Sequence, residues 1–221
     1  MRFFPVLFIN ALGAPLVACI ELTGLAIPAV MLFGVASRHL PKTSDQRAVR
    51  WLTAVAALYF VKAGWWMVLP GGGVPDLGQT KMTRDGICRQ TTGYTCVAAS
   101  MVTMLRAHGI DASETEMARL AYTQVGGGAT DSRTIWALER KLAGTPFRPV
   151  YHRLDARGIV HARKPCMVQL DWGFFVSHMV PVLDASDDTV VIGDPLNGRR
   201  EITMKDFMKE WKRQAITLEE R

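Results

Sequence analysis

The chain has 221 residues, 49% of them hydrophobic, and a formal net charge of +6. The charge is uneven: residues 1–71 hold six Lys or Arg against two Asp or Glu, leaving about +2 for the other 150. That remainder has no basic stripe interleaved with aromatics, which argues against a nucleic-acid surface, and neither Gly71–Gly73 nor Gly126–Gly128 is followed by the Lys-Ser or Lys-Thr of a phosphate loop, which argues against ATP binding.

The first predicted element is an apolar segment from Phe3 to Ser37 whose only charged residue is Glu21. A straight helix of that length would reach about 50 Å, more than the roughly 30 Å of a bilayer core, so the segment reads as one tilted span or as a hairpin bent near Pro15 to Glu21. It is too long for a signal peptide. A second apolar segment, Trp51 to Leu69, has the length of one span, with Trp51, Trp65 and Trp66 as interfacial anchors and Lys62 inside it. Glu21 and Lys62 either pair with each other or sit near an interface. Between the segments Arg38, Lys42, Arg47 and Arg50 outnumber Asp45, which holds this loop in the cytoplasm and carries everything after Leu69 to the opposite side. Residues 1–71 are thus expected to be a transmembrane region of two or three helices, residues 72–77 a Gly- and Pro-rich linker, and residues 78–221 one compact domain.

In that domain helices lead and strands follow. Val97, Met101, Met104 and Leu105 recur at helical spacing after Cys96, with Gly109 as the left-handed cap. Ser113 with Glu116 forms a capping box that opens a helix through about Tyr122, and Thr130 or Asp131 caps another that ends before Gly144. Strands are expected at Phe147 to His152, Cys166 to Asp171, Val176 to Asp184 and Thr189 to Asp194, then an amphipathic helix from Met204 to Arg213 and a last strand from Ala215 to Leu218. Helices packed on an antiparallel sheet give an α+β domain.

The run RQTTGYTCVAAS, Arg89 to Ser100, carries the chemistry. It places Cys96 at a helix start, where the positive end of the helix favours a thiolate, and Gln90 six residues earlier, where a side-chain amide can serve an oxyanion. A hairpin turn centred on Ser186 sets His178 opposite Asp194, give or take one residue, close enough for a carboxylate to orient an imidazole. Cysteine, base and orienter in that order follow the logic of a nucleophile triad. His108, His152 and His161 read as surface or helix-end residues. Cys88 and Cys166, outside the cytoplasm, form a disulfide or remain as two free thiols. A zinc site at Cys88, Cys96 and a histidine lacks the usual ligand spacing, and no metal or organic cofactor is required.

Gln90 and Cys96, His178 in SHMVPVL, and Asp194-Pro195 in VVIGDPLNG followed by an aromatic-containing helix resemble the bacteriocin-processing cysteine peptidases over roughly Cys88 to Trp211. The resemblance implies a papain-like fold and cleavage of leader peptides after a double glycine. By position it makes Cys96 the nucleophile, His178 the general base, Asp194 its orienter and Gln90 the oxyanion donor. Many members have Asp-Cys-Gly where this chain has Thr95-Cys96-Val97, so Val97 alters the space beside the thiol. No ATP-binding or six-span transporter region follows, so coupling to its own ATP-driven export is not expected. The expectation is a membrane-anchored cysteine endopeptidase of the bacterial inner membrane, facing the periplasm or outer side, acting on an exported or tethered polypeptide. Its rivals are a catalytically silent leader-binding domain and a thioester-forming acyltransferase or amidase.

Overall fold

A computed structural model of the chain describes residues 31, 34, 35, 43–64, 73–173 and 177–221. The chain divides into two units, residues 1–73 and 74–221. In the first, helix α1 (Thr43–Gly64) begins eight residues before the expected span and so takes in Asp45, Arg47 and Arg50. Trp51, Val55 and Leu58 form an exposed apolar stripe at helical spacing on it. Among the described residues no helix is long and apolar enough to cross a membrane. The expected first span (apart from residues 31, 34 and 35), its Glu21, and the anchors Trp65 and Trp66 lie outside the described residues.

The second unit opens on a segment that does not behave as a free linker. Val74 is 4% exposed, its carbonyl accepts from Arg119 Nε at 3.2 Å, and Leu77 N donates to Thr115 Oγ1 at 3.1 Å. Two short strands, β1 (Lys81–Met82) and β2 (Cys88–Arg89), then lead to helix α2 (Cys96–Ala107). Every residue of α2 from Val97 to Leu105 is buried, including Ser100 and Thr103, whose hydroxyls are hydrogen-bonded. It ends as the sequence indicates: Gly109 is left-handed at φ +73°, Gly109 N bonds Arg106 O and Ile110 N bonds Leu105 O, each at 3.0 Å, which closes the last turn. In helix α3 (Glu114–Leu120) Ser113 Oγ accepts from Glu116 N while Ser113 N donates to the Glu116 carboxylate, the expected reciprocal cap. Helix α4 (Asp131–Lys141) is capped by Thr130, whose hydroxyl accepts from Arg133 N.

The rest builds one antiparallel sheet in the order β3-β8-β4-β5-β6-β7 from β3 (Phe147–Arg153), β4 (Cys166–Asp171), β5 (Ser177–Ala185), β6 (Thr189–Asp194), β7 (Gly198–Thr203) and β8 (Trp211–Glu220). Helix α5 (Ala156–His161) interrupts β3 and β4, and α6 (Met204–Glu210) links β7 to β8. Alternation sorts the two faces: Val168, Val180 and Ile192 join a core cluster with Ile159 of α5 and Phe207 of α6. On α2, Ser100 Oγ donates to the carbonyl of Met179 in β5 at 2.9 Å, which pins the helix to the sheet.

Three expectations change here. The helix expected to reach Arg213 stops at Glu210, and β8 runs from Trp211 rather than from Ala215. Met204, Phe207 and Trp211 are spaced like a helix face, but Trp211 is buried as the first residue of a strand that Arg213, at φ +62°, bends through an irregularity against β4. Strand β7 escapes a pattern search because its central residues, Arg199, Arg200 and Glu201, are charged and exposed, as suits a sheet edge. Finally, β5 pairs with β6 at Val182↔Ile192, so extending that register would put Val180 across from Asp194 and leave His178 diagonal to it. An irregularity between Val182 and Asp184 adds to the shift that the turn geometry alone does not convey.

Candidate active site

The diagonal placement still brings the two side chains into contact. His178 Nε2 lies 2.9 Å from Asp194 Oδ1, and both residues are buried, at 3% and 1% exposure. Asp194 is held from other sides as well: Leu196 N donates to Oδ1 at 2.8 Å, Asn197 Nδ2 to Oδ2 at 2.7 Å, and Arg200 stands 3.5 Å from Oδ2. Burial alone would raise this carboxyl, but the hydrogen bonds from His178, Asn197 and Leu196 outweigh it and hold Asp194 well below the usual carboxylate range. Gly193 allows β6 to come this close, since a Cβ there would lie 3.1 Å from Ile87 and 3.2 Å from Pro181.

His178 also interacts with the Cys96 thiol, and each side chain shifts the titration of the other. Burial opposes ionisation of Cys96. The His178 hydrogen bond, backbone N–H groups of Met179 and Val97 and the imidazolium charge more than offset it, so the thiol titrates below its ordinary value. The N-terminus of α2 adds to this: Thr95 makes no side-chain cap and no acidic residue sits in the first turn, so its positive end is left uncompensated beside the sulfur. Burial likewise lowers His178, yet the hydrogen bonds to Asp194 and Cys96 win and raise it to about 9. The interaction therefore shifts the pair toward thiolate and imidazolium.

Gln90 is tied into the same corner by its backbone, which donates to Pro195 O at 3.1 Å. Its Nε2 donates to Thr92 O at 2.7 Å, which uses one of two amide hydrogens, and its buried Oε1 has no partner. The structure thus pairs His178 directly with Asp194, couples Cys96 to His178 electrostatically, and ties the Gln90 main chain to Pro195 next to Asp194. Cys88 and Cys166 are buried free thiols, so the weighed disulfide does not form, and burial pushes each up to about 12. Among the described residues no group of three or more His, Cys, Asp or Glu side chains could hold a metal ion.

Sequence reasoning missed Trp172, Asn197 and Arg200. The Trp172 ring stacks on the His178 imidazole with centroids 4.0 Å apart and planes 28° from parallel, a contact that favours the charged ring and limits its rotation. Only the tight turn after Asp194 offered a local signal, for Asn197. A cleft of about 370 Å³ opens beside the sulfur, lined in part by Cys96, Val97, Gly127, Gly128, Asp131 and Ser177. Val97 is itself buried at 4%, so the wall next to the nucleophile is a branched side chain.

Residues 84–221 match the sequence profile of the peptidase C39 family. An uncharacterized protein of Methanothermobacter marburgensis is 28% identical over 133 residues, which span 60% of this chain and 87% of that one. Among solved structures, the double glycine motif protease from an AMS/PCAT transporter, in complex with its leader peptide, is similar with a TM-score of 0.53 at 16% identity, covering 65% of this chain and 95% of that one. The peptidase domain of Streptococcus ComA, a bifunctional ABC transporter of a quorum-sensing pathway, is similar with a TM-score of 0.53 at 20% identity, covering 60% and 96%. These likenesses show a shared α+β fold.

Proposed function

Because the chain belongs to the peptidase C39 family, a family of papain-like cysteine peptidases, we propose that it is a cysteine endopeptidase working through Cys96, His178, Asp194 and Gln90. The observation that carries this reading is the buried His178–Asp194 pair, 2.9 Å apart, whose imidazole interacts with the Cys96 thiol at the start of α2. The Cys96 thiolate attacks a peptide carbonyl carbon, and the oxyanion that forms is stabilised by the Cys96 amide and the Gln90 side chain. His178, cationic at neutral pH, gives its proton to the departing amine as the C–N bond breaks and a thioester remains. The now neutral His178 takes a proton from water, whose oxygen attacks the thioester and releases the acid. Asp194 fixes the ring and stabilises its charge throughout.

The substrate is an extended peptide, in keeping with the leader peptide bound to the similar transporter protease. Val97 narrows the cleft and selects small residues at the scissile bond. We extend the proposal to location: the apolar segments and the exposed Trp51, Val55 and Leu58 stripe of α1 hold the chain at a bilayer, with the peptidase unit on the outer face of a bacterial inner membrane. Externally added protease should then degrade the peptidase unit in intact spheroplasts; protection until lysis would overturn that placement.

The activity is tested on the full chain with iodoacetamide under reducing conditions and with double-glycine peptides. Cys96 should alkylate at neutral pH at least about tenfold faster than Cys88 or Cys166, whose thiols burial keeps protonated. The peptides should be cut by the native chain and left whole by Cys96→Ala. Equal, slow labelling of all the thiols would sink the reading, and binding without cleavage would favour a silent leader-binding domain.

A further inference from the structure

One buried acid in the peptidase unit neither caps its helix nor sits in an ion pair among the described residues. Glu114 is 1% exposed at the start of α3. Capping of that helix is done by Ser113 and Glu116, and Glu116 is also the partner of Lys141 at 2.6 Å. Glu114 has no cation within ion-pair distance among the described residues. Instead its carboxylate reaches back 23 residues: Oε1 accepts from Thr91 N at 2.8 Å and Oε2 from Thr91 Oγ1 at 2.6 Å. Taking a carboxylate out of water without a cation is unfavourable, and short charge-assisted hydrogen bonds are what offset it here. The main chain of Glu114 is in turn fixed, its N–H donating to Thr80 Oγ1 at 3.0 Å.

Thr91 is an exposed residue that follows Gln90 and precedes the nucleophile by five positions. Beyond it the loop bonds to itself, through Thr92 and Thr95. Before it, Cys88 N is tied to Thr103 Oγ1 and Gln90 N to Pro195 O. Glu114 is thus the tether that fixes the outer side of the Gln90 loop to a rigid helix start. We infer that Glu114 is a positioning residue: by clasping Thr91 it sets the Gln90 amide where the oxyanion develops. The inference rests on the peptidase reading above, in which Gln90 is the oxyanion donor. It needs no contact between Glu114 and substrate, and it leaves the pairing of Cys96 with His178 untouched.

Two reagents that meet the same thiolate separate these roles. Iodoacetamide is displaced at a saturated carbon and forms no oxyanion. The p-nitrophenyl ester of N-acetylglycine passes through a tetrahedral oxyanion as p-nitrophenolate leaves and the acyl group is transferred to sulfur, from which water releases N-acetylglycine. In the full chain, Glu114→Ala should slow ester acylation of Cys96 about 10²-fold, the lower end of the range set by loss of an oxyanion donor, while alkylation stays within about twofold. Glu114→Gln, which keeps an acceptor oxygen for Thr91, should recover much of the loss. Gln90→Ala should slow acylation similarly, and adding Glu114→Ala to it should cost little more, because both changes remove one donor. Equal slowing by both reagents, no slowing by either, or additive losses in the double variant would overturn the inference. So would a native chain that alkylates selectively yet acylates no faster than Cys96→Ala. If Glu114→Ala does not fold, Thr91→Val, which removes only the hydroxyl donor, must still slow acylation selectively. Failure of the peptidase reading looks different: Cys96 of the native chain would then alkylate no faster than Cys88 and Cys166.

Discussion

Replacing His178 by Ala should slow alkylation of Cys96 at pH 7 by about 10²-fold and hydrolysis by about 10⁴-fold or more. The first figure follows from the balance at the sulfur: burial is the largest influence on Cys96 and raises its pKa, so with His178 gone only backbone N–H groups and the end of α2 oppose it and the ionised fraction at neutral pH falls sharply. The second adds the loss of the acid that protonates the leaving amine, a role worth about 10²- to 10⁴-fold by itself. Measuring both rates on one preparation separates the two contributions. If alkylation were unchanged while hydrolysis vanished, the thiolate would owe its ionisation to the helix terminus alone and the pairing with His178 would be wrong.

The parts of this site that announce themselves in sequence are those fixed by local rules. Cys96 is recognisable because a polar loop meets an apolar helical repeat at that residue, and the structure starts α2 there. His178 and Asp194 are recognisable because each lies at the end of an alternating apolar strand, and β5 does begin at Ser177 and β6 does end at Asp194. The turn-centred register that would set them opposite is not the one the sheet adopts, and the contact survives because a diagonal neighbour is still within reach of an imidazole. Tertiary closure, by contrast, leaves no local mark. Thr91 and Glu114 lie 23 residues apart on elements whose approach depends on how α3 packs, and Trp172 reads as an ordinary aromatic beside a turn until the sheet sets it on His178. Short or charged elements were missed for a related reason: α5 has six residues and contains Gly158, and β7 sits at an edge where apolar alternation is not demanded.

Asp194 should be the least replaceable residue of the unit, and two substitutions divide its duties. Asp194→Ala removes a buried carboxylate and strands His178, Asn197 and the Leu196 N–H without their acceptor, so it should cost about 3–5 kcal/mol, seen as a lower urea midpoint. Against a typical domain stability of about 5–15 kcal/mol, that is enough to leave a large share of the chain unfolded on mild warming. Asp194→Asn keeps an acceptor oxygen and should fold, which isolates the electrostatic role. In the native chain His178 is raised to about 9, so hydrolysis should hold through neutral pH and fall as pH climbs through that value and the leaving amine loses its proton donor. Alkylation should show no such fall, since the thiolate persists as pH rises. With Asn at 194 the imidazolium loses its hydrogen-bonded counter-charge while its burial remains, so the alkaline limb should move to lower pH. The thiol, deprived of a stable imidazolium, should titrate higher, and the active window narrows from both sides. A limb that stayed near 9 in Asp194→Asn would mean that Cys96 alone sustains the charge on His178 and that Asp194 acts only as a structural strut.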